Sequence, residues 1–246
     1  MRIKAEYKQI ISNLSQQLRD FVGDKKAVVG LSGGIDSTVI AYLCVRALGK
    51  ENVVGVHMPY ADQSIEDSLL ISKELNIRST SEVVDIAPMV DSFPISLRED
   101  SSLTKGNIMA RVRMVVLYAF ANAYNGFVIG TTNKTEAMIG YYTKYGDGAV
   151  DVEPIANLYK TEVWEMAKVL GVPQKIIDKT PSADLWKGQT DEDEFGMTYK
   201  EMDEILVRLR HEDTDVDLIK MKNYHKVNKL IRNSEHKRHM PSAFEL

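Results

Sequence analysis

The chain has 246 residues, a formal net charge of −4 and one cysteine. This length can bury a full hydrophobic core, so we expect a single domain over residues 1–246. The acidic balance argues against a nucleic-acid partner, and the lone Cys44 excludes an intrachain disulfide framework. No secretory pattern opens the sequence, and no apolar run approaches the roughly 20 residues of a membrane span. We therefore expect a cytoplasmic protein that does not cross a membrane.

Strand and helix patterns alternate along the chain. The predicted strands cover residues 27–31, 52–59, 81–86 and 127–130, and the main predicted helices cover residues 3–22, 64–75, 107–124, 158–171, 199–209 and 216–231. Polar stretches near residues 91–105 and 181–196 are predicted to be mobile loops. The alternation predicts an α/β fold with a doubly wound, mainly parallel sheet and helices on both faces. In such sheets, ligands bind beyond the C-terminal ends of the strands.

A glycine turn joins the first predicted strand to an amphipathic helix. It reads Ser32-Gly33-Gly34-Ile35-Asp36-Ser37, and its glycines let the backbone approach an anion that the following helix attracts. It is neither a Walker A loop nor a Gly-x-Gly-x-x-Gly motif. Asp36 would repel phosphates unless a divalent metal lay between them, so the turn predicts pyrophosphate with magnesium. The simpler alternative is a glycine turn capped by Asp36 or Ser37.

Three further residues are predicted to lie at the same edge of the sheet. Arg111 is in the first turns of its helix and can reach an anion, whereas Arg113 is predicted to point away from the core. Glu136 follows the strand 127–130 and could share a magnesium ion with Asp36. Lys160 starts a helix, where an acid would suit the dipole better, and so suggests a phosphate partner. Each also has an ordinary interpretation, as a solvated arginine head, an exposed acid or a surface lysine.

The glycine turn resembles the pyrophosphate loop of the N-type ATP pyrophosphatases, and nearly the whole chain resembles the ammonia-dependent NAD synthetases. This second resemblance rests on residues 30–37, 106–113, 130–136, 140–148, 154–155, 158, 160, 181–186, 189–192 and 235–238. It implies an adenine nucleotide alpha hydrolase-like fold. It also implies a homodimer that shares the dinucleotide site between its subunits.

The resemblance assigns residues to three groups. It implies that ATP is bound by Gly30, Leu31, Ser32, Gly33, Gly34, Ile35, Asp36, Ser37, Thr131, Lys160 and Ser182. It implies that deamido-NAD is bound by Arg111, Lys144, Asp151, His236 and Lys237, and that Mg²⁺ is held by Asp36 and Glu136. Ser182 departs from the threonine of many relatives but keeps the hydroxyl.

The implied reaction is the last step of NAD biosynthesis, the amidation of deamido-NAD by ammonia at the expense of ATP. A carboxylate resists attack by ammonia, so we expect it first to displace pyrophosphate from ATP and form an adenylate, from which ammonia then displaces AMP. Asp147 and Asp151 are both candidates for the base that deprotonates ammonium. Free ammonia or a separate donor protein would supply the nitrogen. Two alternatives remain: an ATP pyrophosphatase that adenylates RNA or another carbonyl compound, and a nucleotide-sensing module that performs no chemistry.

Overall fold

The computed structural model describes residues 2–93, 101–186, 188–211 and 219–244. Within these residues, parallel strands form a sheet in the order β3-β2-β1-β4. The strands are β1 (Lys26–Gly30), β2 (Val53–His57), β3 (Ser81–Val83) and β4 (Gly126–Val128). The predicted parallel sheet is confirmed, although β2 and β3 are shorter than predicted.

Helices fill the connections between the strands and continue after them. They are α1 (Lys4–Val22), α2 (Ile35–Leu48), α3 (Glu66–Glu74), α4 (Ala87–Asp91), α5 (Ser101–Ala123), α6 (Lys134–Ile139), α7 (Lys160–Leu170), α8 (Gln174–Ile177), α9 (Asp191–Phe195), α10 (Tyr199–His211) and α11 (Tyr224–Asn233). As predicted, α7 ends at Gly171, which adopts the left-handed conformation. In the described part of the chain, no helix is both long and apolar enough to span a bilayer.

Alternate residues of β1 pack against different helices. Ala27 and Val29 belong to a core cluster with α1, α2 and α7, while Val28 belongs to a second cluster with α4 and α5. Cys44 is fully buried on α2 within the first cluster. This alternation follows from the two-residue period of a strand, and it confirms that helices cover both faces of the sheet. A third cluster joins α6, α10 and α11 beyond the sheet.

The strand order creates a crevice at the C-terminal ends of β1 and β4. β1 pairs with β2 on one side and with β4 on the other, so the chain changes direction across the sheet at β1. Ile129 then forms a parallel bridge with Val152, which carries the sheet edge past the end of β4. Doubly wound sheets bind ligands at such a switch point. The glycine turn and the segment after β4 both open into it.

Several predicted boundaries differ from the structure. Residues 101–105 were assigned to a loop, but they form the first turns of α5, and residues 94–100 of that loop lie outside the described residues. Gly106 therefore lies inside the helix, and a Cβ there would come within 2.8 Å of Leu185 Cδ1, which explains the glycine. The loop 181–196 contains the short helix α9 near its end. Residues 216–218 of the predicted helix 216–231 lie outside the described residues, and its later part forms α11 (Tyr224–Asn233).

Candidate active site

The glycine turn is shaped by its own side chains and by α3. Gly33 has φ +75°, and a Cβ at this position would lie 2.7 Å from the Cβ of Asp67, so both conformation and space require glycine. The Ser32 hydroxyl accepts a hydrogen bond from the Gly34 amide at 3.1 Å, and the Ser37 hydroxyl donates to the Gly34 carbonyl at 3.1 Å. Because α2 starts immediately after Gly34, its first amides face the turn and favour an anion there.

Lys160 joins the two acids that were predicted to share a metal. Its Nζ lies 2.5 Å from Asp36 Oδ2 and 3.3 Å from Glu136 Oε1. The lysine side chain is 3% exposed, and those of Asp36 and Glu136 are 16% and 15% exposed. The two acids therefore lie together at one edge of the sheet, as predicted. The interpretations of Lys160 as a surface lysine and of Glu136 as an exposed acid are excluded.

The charges of this cluster do not balance. Two carboxylates share one ammonium, which leaves one negative charge when all three groups are ionised. Burial raises the pKa of Glu136, and Lys160 offsets this only in part. Burial alone would lower the pKa of Lys160, but the attraction of Asp36 and Glu136 outweighs it and raises that pKa, so the lysine keeps its proton. Mg²⁺ binds through one or two carboxylates and substrate phosphates, so this pair of acids is a fitting donor set for it.

Asn133 fixes the two acids relative to each other, and sequence reasoning missed it. Its Nδ2 donates to Asp36 Oδ1 at 3.0 Å, while its Oδ1 accepts from the Glu136 amide at 3.0 Å. The Asn133 amide donates to Glu136 Oε2 at 3.1 Å, which completes a capping box at the start of α6. The spacing of an asparagine three residues before a glutamate was the available signal. Asn133 and Asp36 are 97 residues apart in the sequence, so local sequence patterns could not predict their contact.

Three of the five residues predicted to bind a dinucleotide are linked by hydrogen bonds, and a fourth, Lys237, bonds to a carbonyl nearby. Arg111 Nη2 donates to the Lys144 carbonyl at 3.2 Å, and Lys144 Nζ donates to the His236 carbonyl at 2.5 Å. Lys237 Nζ donates to the Gly140 carbonyl at 2.7 Å. The C-terminal segment around residues 236–237 therefore packs against residues 140–144.

The acids of this second region are held by backbone amides. Asp151 Oδ2 accepts from the Val128 amide at 2.7 Å, and Asp151 Oδ1 accepts from the Tyr118 hydroxyl at 3.4 Å. Asp147 Oδ1 accepts from the Thr143 amide at 2.8 Å. Asp151 is thus fixed at the end of β4, and Asp147 inside the turn that follows Thr143. The choice between them as the base for ammonium stays open.

The two remaining residues predicted to bind ATP are placed differently from each other. Thr131 follows Gly130 directly at the end of β4, which puts it at the edge of the crevice. Ser182 is exposed, and its hydroxyl accepts a hydrogen bond from the Asp184 amide at 3.0 Å within its own loop. The loop around Ser182 would have to bring this hydroxyl to a ligand.

The prediction that Arg113 points away from the core was wrong. Its Nε donates to the Met58 carbonyl at 3.1 Å, at the end of β2, and its Nη2 donates to Gln63 Oε1 at 2.9 Å. Gln63 Nε2 in turn donates to the Asp184 carbonyl at 2.5 Å. Arg113 is half-buried because the backbone just after β2 packs against its side of α5, where the Met58 carbonyl accepts its hydrogen bond. This chain of contacts supports the loop that carries Ser182.

Comparisons with known proteins identify the family of the chain. The family model described as NAD synthase matches residues 6–241. The chain is 47% identical to the NH(3)-dependent NAD(+) synthetase of Thermococcus kodakarensis, with 97% of this chain and 96% of the relative covered. It is 44% identical to the enzyme of the same name from Pyrococcus furiosus, with coverage of 97% and 95%.

Two solved structures are similar over nearly their whole length. The NMN synthetase from Francisella tularensis is 36% identical with a TM-score of 0.84, and all of both chains is covered. The NH3-dependent NAD synthetase from Campylobacter jejuni is 31% identical with a TM-score of 0.80, over 97% of this chain and 99% of that chain. From the matched model and these full-length relatives, we conclude that the chain belongs to the NAD synthase family.

Proposed function

We propose that this protein forms NAD from deamido-NAD, ATP and ammonia, through an adenylated nicotinate carboxylate, with release of AMP and pyrophosphate. The observation that carries the proposal is the meeting of Asp36, Glu136 and Lys160 beside the glycine turn, at the switch point of the sheet. Such a site receives the phosphates of ATP between a loop of amides, an ammonium and two acids. The names of the relatives give NAD as the product, and from this we infer that the carboxylate that is adenylated belongs to deamido-NAD.

The chain contributes mainly position and charge to this reaction. The turn at Gly33 and the first amides of α2 bind the β- and γ-phosphates, which leave together as pyrophosphate. Lys160 places its ammonium where negative charge develops on the departing group, in a buried setting that strengthens the interaction. Arg111, Lys144 and Lys237 hold the anionic dinucleotide so that its carboxylate faces the α-phosphate. Ammonia then attacks the adenylate and AMP leaves.

Asp36 and Glu136 are the residues that would hold Mg²⁺ in this proposal. The ion would supply positive charge to the phosphates when bound. The support is the donor set itself, because the two carboxyl groups lie together and share a single ammonium. Asn133 holds Asp36 and Glu136 in a fixed relative position. Asn133→Leu should therefore weaken metal binding, although Asn133 is not itself a proposed ligand.

We propose in addition that the protein is a homodimer. On α5, Val115 follows Arg111 by one helical turn and is 59% exposed, and Leu103 on the same helix is 60% exposed. These apolar side chains continue from a residue proposed to contact the dinucleotide, which suits a site shared between subunits. Light scattering on the eluting peak should give twice the chain mass, and Val115→Glu should shift the peak toward the monomer. A monomeric wild type would refute this proposal.

The loop 181–196 is proposed to keep water from the adenylate. Its contacts through Gln63 and Arg113 place it between the end of β2 and α5. Shortening the loop should raise ATP hydrolysis that is not coupled to NAD formation. Unchanged coupling would contradict this role.

One assay tests the main proposal. Purified protein is given ATP, MgCl₂ and ammonium chloride with deamido-NAD, with nicotinate mononucleotide or with RNA, and pyrophosphate and the amide product are followed. We expect equal amounts of pyrophosphate and NAD with deamido-NAD. Asp36→Asn should abolish pyrophosphate release while the circular dichroism spectrum is kept. Glu204→Gln, at an exposed acid paired with Arg208, is the matched control and should retain activity.

Each other outcome points to a different function. Turnover of the mononucleotide alone would make the chain an NMN-forming enzyme, as the name of the Francisella neighbour suggests for that protein. Pyrophosphate release with RNA alone would support the RNA-adenylating alternative. Binding of ATP without turnover would support the nucleotide-sensing alternative. Release of orthophosphate in place of pyrophosphate would refute the reading of the glycine turn.

A further inference from the structure

A carboxylate from α10 joins the first turns of two other helices. Asp203 is 4% exposed, and its Oδ1 accepts a hydrogen bond from the Thr135 hydroxyl at 2.5 Å. Its Oδ2 accepts from the Thr161 amide at 2.9 Å and from the Thr161 hydroxyl at 2.7 Å. Thr135 lies at the start of α6 and Thr161 at the start of α7. Asp203 therefore fixes these two helix starts against one another.

Both threonines adjoin residues of the candidate site. Thr135 directly precedes Glu136, and Thr161 directly follows Lys160. The Thr135 hydroxyl also accepts a hydrogen bond from the Lys160 amide at 2.9 Å. A hydroxyl has only one proton to donate, so its donation to Asp203 turns the oxygen lone pairs toward the Lys160 amide. The path from Asp203 through Thr135 thus sets the spacing between Glu136 and Lys160.

The chemistry of this position calls for a carboxylate. All three of these partners donate to Asp203, and an ionised carboxylate has two oxygens with which to accept them. An asparagine would present an amide donor to at least one of these donors. The negative charge also lies at the start of α7, where the helix dipole stabilises it. Burial removes competing water, so the loss of one acceptor would leave a buried donor unsatisfied.

We propose that Asp203 is a positioning residue for the pyrophosphate-forming step. It holds Glu136 and Lys160 at the separation that a divalent cation and the phosphates of ATP require. It acts through Thr135 and Thr161. This inference rests on the proposed function, since it assigns a role in the same site.

The test compares Asp203→Asn with Glu204→Gln, the neighbouring exposed acid of the same helix. Mn²⁺ is used as a spectroscopic probe, and its binding in the presence of ATP is measured by electron paramagnetic resonance without deamido-NAD. Exchange of labelled pyrophosphate into ATP with deamido-NAD is measured separately. We expect at least tenfold weaker Mn²⁺ binding and tenfold slower exchange in Asp203→Asn, with the KM for deamido-NAD changed less than twofold. Glu204→Gln should behave as the wild type.

A second pair of variants keeps the proposal falsifiable if Asp203→Asn does not fold. Thr135→Val removes only the hydroxyl at nearly constant shape and should weaken Mn²⁺ binding in the same way, whereas Thr135→Ser should restore it. Folded Asp203→Asn or Thr135→Val with normal Mn²⁺ binding and exchange would overturn the positioning role. If the wild type binds Mn²⁺ with ATP but forms no NAD, the proposed function fails, and weaker Mn²⁺ binding in Asp203→Asn and Thr135→Val would still support the positioning role. If the wild type binds no Mn²⁺ with ATP, both fail.

Discussion

Glu153 gives the protein a pH dependence that the structure allows us to work out. Its carboxylate accepts a hydrogen bond from the Thr132 amide at 3.0 Å and lies so close to Gly130 that a Cβ there would come within 2.3 Å of it. Burial raises the pKa of Glu153 from 4.5 to about 7, and the hydrogen bond from Thr132 offsets only part of this. The folded state therefore binds this proton more tightly than the unfolded state does. Stability should fall as the pH rises from about 4.5 to about 7 and stay reduced above that range.

The perturbation is Glu153→Gln, which cannot ionise and still offers an oxygen to Thr132. Since one pKa unit corresponds to about 1.4 kcal/mol, the difference between 4.5 and about 7 is worth roughly 3 kcal/mol at pH 8. We expect Glu153→Gln to be more stable than the wild type by an amount approaching this value at pH 8. The gain should nearly vanish at pH 4.5.

The assay is urea unfolding followed by circular dichroism at both pH values, with Glu204→Gln as the exposed control. Free energies are compared between variant and wild type at the same pH, so that other titrating groups cancel. An equal gain at both pH values would show that shape rather than charge is responsible. No gain at pH 8 would refute the reasoning.

Three further predictions concern Gly33, Lys160 and His57. Gly33→Ala should lose about 1–3 kcal/mol of stability and also lose ATP binding, because the new Cβ would clash with Asp67. The control Gly23→Ala, at a residue with φ +61° and open space around it, should keep ATP binding. Urea unfolding and ATP titration measure the two effects. Lys160→Met should lose about 3–5 kcal/mol of folding stability, because two acids are left without their cation. For the same reason, MgCl₂ should raise the melting temperature of this variant more than that of the wild type. Burial lowers the pKa of His57, so as the pH falls this histidine is protonated in the unfolded state before it is protonated in the folded state. The stability advantage of the wild type over His57→Gln should therefore shrink between pH 7.5 and pH 5.5, as measured by urea titrations.

The sequence predicted those parts of the site that depend on local pattern. The glycine turn could be recognised because a strand, two glycines and a helix follow one another within a few residues. The meeting of Asp36 and Glu136 could be predicted because parallel strands end at the same edge of a sheet. Neither step needs knowledge of how distant side chains pack.

The features that could not be predicted depend on contacts between distant segments. Lys160 reaches Asp36 across 124 residues, and Asp203 reaches Thr135 across 68 residues. In the sequence, Asp203 is one of several acids on an amphipathic helix, and no local pattern identifies Thr135 and Thr161 as its partners. The start of α5 was also missed, because residues 101–105 belong to a polar stretch, and Gly106 is accommodated in the helix by its packing against Leu185. Periodicity predicts that an element exists, whereas tertiary packing decides where it ends.

The short helix α6 connects the two halves of the proposed site. Its first turn carries Glu136, which is bound by Lys160 and Asn133. Its last turn is held by the C-terminal segment, because Arg238 Nη1 donates to the Met138 carbonyl at 2.8 Å. Lys237, proposed to bind the dinucleotide, donates to the carbonyl of Gly140 just beyond the helix. A helix of six residues has little freedom to bend between these anchors. The position of the C-terminal cations is therefore tied to that of the acid proposed to hold the metal, which is what a reaction between a dinucleotide and a bound triphosphate requires.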